Sequence, residues 1–295
     1  MARPYKTGAR RSHPSKIAAA TPAHLHPKIK AALDAHAAGT APLPDSVDHG
    51  PLWPSILDQN STSACTAHAI ACALYTSLAA QGKPLGFVPS PLCTYAMTRA
   101  LERAGAAPLD PLPALTDSGA EIADVIAVLS QNGVRSMKAP SPQGFNSDVD
   151  PSNVLAEPDI QGAQEAALNL IAGPYTVDMT AANLSDVLAA ALASGMALDI
   201  AFECDDAFQA LAAGQVAQAP VDAPDDGGHS TALTGYVTVS AEVAAALGFP
   251  AGTRLFWLTN SWGTGWATEG RVLLAPSFVS AMYEAWPIAV TGGAS

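Results

Sequence analysis

Cys65 is the residue of this chain whose position most favours covalent chemistry. It follows the polar loop LDQNSTSA and opens the apolar stretch CTAHAIACALYTSLAA, which predicts a buried helix. Ser and Thr at 61–63 are candidate N-cap residues, so we expect Cys65 in the first helical turn. A helix N-terminus and a nearby imidazolium stabilise the nucleophilic thiolate. The alternative, a buried and unreactive thiol, fits Cys72 two turns later.

Two histidines are candidates for the base that such a thiol requires. Four of the seven lie in the first 36 residues, and His49 sits in a predicted exposed turn. His229 follows two glycines in DDGGHSTALTGY and begins a predicted strand, which would hold its ring rigidly. His68 lies only three residues after Cys65 on the same helix, a poor position for serving both nucleophile and leaving group. We therefore favour His229 as the base and interpret His68 as a core residue.

A third group has to orient the imidazole, and a fourth has to stabilise the oxyanion. Asn260 ends a predicted strand in LTNSWGTGW, with Trp262 placed to exclude water from its hydrogen bond. Gln59, six residues before Cys65, can direct its amide at an oxyanion that also meets the Cys65 backbone N–H. Each has a plainer alternative, since Asn260 fits a turn cap and Gln59 fits an ordinary loop.

Three separated stretches, in the order Cys, His, Asn, resemble the motifs of papain-like cysteine peptidases. DQNSTSACTAHA is similar to their DQG-x-x-GSC-x-A-x-A, GGHSTALTGY to GGHAV-x-x-VGY, and FWLTNSWGTGWATEG to N-S-W-G-x-x-W-G-x-x-G. SPLCTYAMTR and DSGAEIADVIAVLSQNG are further similar to the bacterial branch of that family. The resemblance covers about residues 45–285. It departs at Ser63-Ala64 in place of Gly-Ser, at Ala267 in place of a glycine, and at Arg271 in place of an aromatic residue.

The resemblance implies a Cys-His-Asn peptidase. Cys65 would be the nucleophile, His229 the general base and acid, Asn260 the orienting group and Gln59 the oxyanion donor. The implied fold is α+β with two lobes, a helical lobe at about 45–160 and a β-barrel-like lobe at about 161–295, with the cleft between them. The substrate would be a peptide or protein, hydrolysed through an acyl-enzyme. A papain-fold acyltransferase or amidase, or a catalytically silent binding protein, are the alternatives.

The pattern of apolar residues predicts the helices and strands that position these residues. Between about 45 and 140 the pattern is helical, whereas the later runs MALDIAFE, STALTGYVTVS, RLFWLTNSW and GRVLLAP have strand character and turn residues between them. A helical half followed by a strand-rich half independently argues for an α+β protein. A looser Pro/Ser/Asp stretch occupies 139–160.

Charge separates the first 44 residues from the rest of the 295-residue chain. Seven of the fourteen basic residues lie in the first thirty positions and no acid precedes Asp34, which leaves residues 31–295 with a formal charge of −19. This segment fits a mobile basic tail, a short prosegment that contacts the cleft, or a targeting extension. The overall charge of −12 argues against nucleic acid as a partner. Four cysteines without a close C-x-x-C pair, and no long apolar stretch, lead us to expect a cytoplasmic protein with no membrane partner, metal or cofactor.

Overall fold

The helix that begins at Cys65 lies at the centre of the fold. The computed structural model describes residues 6–106, 114–137, 154–155, 170–221 and 227–291. Helix α3 (Cys65–Ala80) is buried on nearly all sides, as its uniformly apolar sequence predicts. Helices α4 (Pro91–Ala106) and α5 (Ile122–Asn132) pack against it. The other α-helices of the described residues are α1 (Pro14–Ala19), α2 (Pro27–Ala37), α6 (Leu184–Ala193), α7 (Asp206–Gln209), α8 (Ala244–Leu247) and α9 (Pro276–Ala281).

A seven-stranded sheet packs against the other side of α3. Its strands are β3 (Ser46–Asp48), β6 (Leu198–Glu203), β7 (Val216–Ala217), β8 (Gly228–Thr238), β9 (Arg254–Thr259), β10 (Arg271–Leu274) and β11 (Glu284–Pro287). Six of them follow the order β11-β6-β8-β9-β10-β7, and β3 pairs with β8. The α+β prediction is confirmed. Among the described residues the sheet of the expected β-barrel-like lobe does not close, because the outer strands β11 and β7 do not pair with each other.

Residues 6–44 lie along the rest of the chain. Strand β1 (Ala9–Arg10) pairs in parallel with β4 (Ala120–Glu121), and β2 (Thr21–Pro22) pairs in parallel with β5 (Tyr175–Thr176). Helix α2 packs against α6, where Ile29 is fully buried. The segment thus contacts both the helical part and the sheet.

Two further expectations, a loose stretch and a boundary between lobes, concern residues near 139–160. The loose stretch at 139–160 and the expected boundary between the lobes near 160 fall largely outside the described residues. Among the residues that are described, no helix combines the length and apolar character needed to cross a bilayer.

Candidate active site

Cys65 is the first residue of α3 and is fully buried. First-turn N–H groups of a helix have no intrahelical acceptor, so they are available to stabilise negative charge at this position. The expected cap at 61–63 is wrong, because Ala64 is the N-cap and makes no side-chain hydrogen bond. The Thr62 hydroxyl instead donates to the Gln59 carbonyl at 2.7 Å, and the Ser63 hydroxyl donates to the Asp117 carbonyl at 3.3 Å.

His229 and Asn260 are brought together from neighbouring strands. His229 lies near the start of β8, Asn260 follows the end of β9, and these two strands pair antiparallel. His229 Nε2 and Asn260 Oδ1 are 2.9 Å apart, with both residues buried. The Trp262 ring stacks on the imidazole at 4.5 Å between centroids and 18° between planes. If Nε2 carries the proton that Asn260 accepts, Nδ1 is left as the basic nitrogen.

Gln59 is held against the Asn260 loop by Ser261. The Ser261 hydroxyl donates to Gln59 Oε1 at 2.6 Å, and the Gln59 backbone N–H donates to the Ser261 carbonyl at 2.8 Å. The Ser261 N–H also donates to Asn260 Oδ1 at 2.8 Å. Sequence analysis missed Ser261, although its place directly after Asn260 was a usable signal. With its oxygen occupied, the Gln59 amide can only present its NH₂ group elsewhere.

The thiol and the imidazole of the described structure are both in their neutral forms near pH 7. Burial raises the pKa of the Cys65 thiol to about 12, although the nearby backbone N–H groups of Ser230, Gly8 and Thr66 oppose the rise. Burial lowers the pKa of His229 to about 4, with the Asn260 hydrogen bond opposing the fall. Within the described residues His229 Nδ1 is buried without a hydrogen-bond partner, and no hydrogen bond joins it to Cys65.

The N-terminal segment crosses the site directly over Cys65. The Gly8 N–H donates to the Gly228 carbonyl at 3.0 Å, and the Gly8 carbonyl accepts from the Ala120 N–H at 2.9 Å. Two residues earlier, the Lys6 carbonyl accepts from Gln59 Nε2 at 3.0 Å. The predicted oxyanion donor is therefore already occupied by the chain's own backbone.

Glycines on both walls allow this close approach. A Cβ added at Gly228 would lie 2.1 Å from the Ala9 carbonyl oxygen. At Gly119, whose φ is +77°, a Cβ would lie 1.9 Å from the Gly8 carbonyl oxygen. Any larger residue at these two positions would collide with the segment's backbone.

His68 occupies the core position expected of it. It is buried, its Nδ1 lies 2.9 Å from the Ala64 carbonyl oxygen one turn earlier, and burial lowers its pKa to about 4. A ring held against its own helix in this way has no role in orienting the Cys65 thiol.

Comparison with known structures identifies the fold that carries these residues. Xylellain, a cysteine protease from Xylella fastidiosa, superposes with a TM-score of 0.68 at 21% identity over 99% of this chain and 98% of that one. The chain has the papain-like fold. A stem bromelain precursor gives a TM-score of 0.62 at 17% identity over 92% of this chain and 76% of that one. Procathepsin L 3 of Tenebrio molitor gives 0.56 at 18% identity over 84% and 71%. No protein-family model matches the sequence, and no curated protein is significantly similar to it.

The departures from the family motifs have local explanations. Arg271 stands where an aromatic residue was expected, and its guanidinium lies over the Trp257 ring at 4.8 Å from the centroid. Ala267 replaces a glycine and takes a φ of +45°, a left-handed conformation that costs a non-glycine residue about 1–2 kcal/mol. The backbone at Ser63 needs no glycine, because its φ is not positive.

Proposed function

We propose that the protein is a cysteine peptidase in which Cys65, His229, Asn260 and Gln59 carry the reaction. The observation that carries the proposal is the buried His229–Asn260 hydrogen bond of 2.9 Å, which Trp262 covers. Cys65, at a helix N-terminus, lies near the backbone of Ser230, the residue after His229. This constellation on a papain-like fold supports acyl transfer by a thiolate.

Cys65, His229 and Gln59 act directly in the proposed reaction, and Asn260 orients the His229 ring. The Cys65 thiol gives its proton to His229 Nδ1, and the thiolate sulfur forms a bond to the peptide carbonyl carbon. The oxyanion is stabilised by Gln59 Nε2 and the Cys65 N–H. The C–N bond then breaks as His229 returns the proton to the leaving amine. Water, deprotonated by His229, cleaves the thioester and restores the thiol.

Product analysis distinguishes hydrolysis from transfer to another acceptor. We expect digestion of a peptide library to yield fragment pairs whose masses sum to the parent peptide plus one water. Hydroxylamine added as a competing nucleophile should divert only part of the acyl-enzyme to hydroxamate. Acyl products found exclusively on an added amine would instead identify an acyltransferase and overturn the peptidase proposal.

We also propose that residues 1–44 act as a short inhibitory prosegment on a peptidase domain formed by 45–295. The support is steric and chemical. Gly8 covers the thiol, and Lys6 occupies the Gln59 amide. The Gly8 carbonyl accepts its hydrogen bond from the Ala120 N–H and not from Gln59, so the proposed oxyanion donor does not hold it. The same cover accounts for the neutral Cys65 and His229, because burial opposes the thiolate–imidazolium pair.

Four cations of the segment bind carboxylates of the body. Arg11 contacts Glu203 at 2.9 Å, and Lys16 contacts Glu121 at 2.8 Å and Asp124 at 2.7 Å. Lys6 pairs with Asp117 and Arg10 pairs with Glu102. Partly exposed pairs of this kind contribute at most about 1 kcal/mol each, but together they bias the segment toward the closed position.

Neutralising these cations should raise activity without touching the catalytic residues. We expect the full-length variant K6Q/R10Q/R11Q/K16Q to hydrolyse a fluorogenic peptide about 10- to 100-fold faster than the wild type at low salt, because each lost ion pair weakens closure by up to about 1 kcal/mol. Raising the salt to about 1 M should activate the wild type and narrow the difference, since the Debye length falls to about 3 Å.

The matched control is K28Q/K30Q, which removes two cations of the same segment. Lys28 binds Gln81 at 2.9 Å and Lys30 pairs with Asp34 on its own helix, so neither holds the segment across the cleft. Equal activation by this control, or no activation by the fourfold variant, would contradict the prosegment proposal.

A cytoplasmic location stays a prediction, in keeping with four cysteines that form no disulfide.

A further inference from the structure

A small cavity lies next to Asn260, where α3 meets strands β8 and β9. Its lining includes His68 of α3, Thr231 of β8, Asn260 itself and the apolar side chains of Trp53 and Leu57. About 10 Å³ of the cavity is open to a sphere of the size of a water molecule. One water needs roughly 10–15 Å³ on this measure, so the cavity has room for one water and for no substrate side chain.

Three polar atoms of the lining residues are buried without a hydrogen-bond partner among the described residues. They are His68 Nε2, Thr231 Oγ1 and Asn260 Nδ2. None of the three residues is more than 4% exposed, so bulk solvent does not satisfy these atoms. A buried polar atom without a partner is costly, and buried polar atoms in proteins generally have one. Three such atoms on the residues around one water-sized cavity indicate a common polar ligand.

Asn260 offers this cavity a hydrogen-bond donor. Its Oδ1 accepts from the Ser261 N–H at 2.8 Å and lies 2.9 Å from His229 Nε2. The Ser261 N–H can only donate, so the atom that it meets has to be the amide oxygen. Nδ2 is therefore the other end of the amide, and its two N–H groups can only donate.

His68 offers the cavity an acceptor. Its Nδ1 lies 2.9 Å from the Ala64 carbonyl oxygen, which can only accept, so Nδ1 carries the proton. Nε2 of the neutral ring then has a free lone pair. Thr231 Oγ1 can donate or accept, and its side chain lies on the same face of β8 as that of His229, two residues earlier. A single water can satisfy this set of a donor, an acceptor and a hydroxyl.

We propose that the cavity binds one water molecule, which accepts a hydrogen bond from Asn260 Nδ2, donates one to His68 Nε2 and makes a third with Thr231 Oγ1. Three hydrogen bonds is the usual number for a buried water. The water makes His68 and Thr231 positioning residues for Asn260. The inference rests on the proposed peptidase function, in which Asn260 orients His229, and adds two residues to that function.

The water fixes the Asn260 amide at the end that His229 does not contact. Oδ1 is held by Ser261 and His229, whereas Nδ2 is held through the water. Without the water, the amide rotates more freely about its last side-chain bond, and the imidazole that it orients is less well aligned with the Cys65 thiol. Proton transfer then slows, although no residue that contacts the substrate has changed.

Two substitutions of similar volume remove the partners of the water one at a time. Thr231→Val deletes the hydroxyl, and His68→Met deletes both ring nitrogens. In the K6Q/R10Q/R11Q/K16Q background, we expect each to lower kcat and the rate of iodoacetamide alkylation of Cys65 at pH 7 on the order of tenfold, with KM nearly unchanged. The Ala64 carbonyl keeps a partner in His68→Met, because it also accepts the backbone N–H of residue 68 at 3.1 Å.

Conservative variants should rescue both rates. Thr231→Ser keeps the hydroxyl, and His68→Gln keeps a donor and an acceptor in one planar amide, so we expect both variants to stay within a few-fold of the parent. Thr98→Val is the matched control, because the Thr98 hydroxyl is also buried but donates to the Thr94 carbonyl at 2.9 Å, outside the cavity lining. It should leave both rates unchanged. Cooperative thermal unfolding checks that each variant is folded.

The double variant Thr231→Val/His68→Met tests whether the two residues act through the same water. Thr231 Oγ1 and His68 Nε2 are not hydrogen-bonded to each other, so any coupling between these two atoms runs through a third group. If that group is one water, the double variant loses little more than the worse of the two single variants. Effects that multiply, or an equal loss in Thr231→Ser or Thr98→Val, would overturn the proposal.

A crystal structure of the full-length wild type tests the water site without any measurement of activity. We expect an ordered water about 2.7–3.2 Å from His68 Nε2, Thr231 Oγ1 and Asn260 Nδ2. An empty cavity, or a water that lacks any of the three contacts, would refute the site. If the water is present and alkylation of Cys65 responds as expected, but no library peptide is hydrolysed, the peptidase proposal fails and the positioning of Asn260 stands.

Discussion

Replacing Cys65 by alanine is expected to lower kcat/KM for peptide hydrolysis by about 10⁵-fold or more. The proposed reaction runs through a bond to the sulfur, so its loss removes the covalent pathway and leaves only the weak effect of binding and oxyanion stabilisation. The measurement is the initial rate on a fluorogenic peptide, in the K6Q/R10Q/R11Q/K16Q background where the cleft is expected to be open.

Cys72→Ala is the matched control for this substitution. Cys72 lies on the same helix, is also buried, and its thiol pKa is likewise raised by burial to about 12. We expect Cys72→Ala to keep kcat/KM within a few-fold, because a methyl group replaces a small core thiol. If Cys72→Ala abolished hydrolysis and Cys65→Ala did not, the nucleophile would be misassigned.

Replacing His229 by alanine should lower kcat/KM by about 10⁴-fold. In the proposed reaction the imidazole both activates the thiol and protonates the leaving amine, so its loss removes both functions. The residual activity of His229→Ala should rise with pH up to the thiol pKa, because hydroxide then has to generate the thiolate. With His229 present in an open cleft, the rate should rise at a lower pH.

His68→Gln separates the two candidate bases. Glutamine can still donate to the Ala64 carbonyl that His68 contacts at 2.9 Å, so the helix keeps this contact. We expect kcat/KM of His68→Gln to stay within a few-fold of its parent. A large loss in His68→Gln together with a small loss in His229→Ala would reverse the assignment.

Local patterns were enough to predict the elements that carry the site. The apolar run from Cys65 forms a helix because every face of it meets the core. Strands β8 and β9 were predicted from short apolar runs with turn residues between them. The sequence predicted His229 and Asn260 as partners from their residue types and their order in the chain, and a hydrogen bond joins these two residues.

The sequence did not predict contacts between distant stretches of the chain, because such contacts leave no periodic pattern of apolar residues. The segment around Gly8 is short and irregular, so nothing in it indicates that its N–H meets the Gly228 carbonyl 220 positions away. The cap of α3 failed for a similar reason, since Thr62 and Ser63 bind Gln59 and Asp117 instead of the helix. Glu284 lies in a four-residue strand and accepts two hydrogen bonds from Ser12 near the opposite end of the chain.

The most direct measurement of the central claim, that His229 activates the Cys65 thiol, is the rate of alkylation by iodoacetamide at pH 7. It is made on full-length K6Q/R10Q/R11Q/K16Q, with the labelled residue located by peptide mass spectrometry. We expect one label per molecule, on Cys65 alone, with a rate that falls at least about tenfold in the same variant carrying His229→Ala. Labelling of Cys72, Cys93 or Cys204 in its place, or an equal rate at Cys65 without His229, would contradict it.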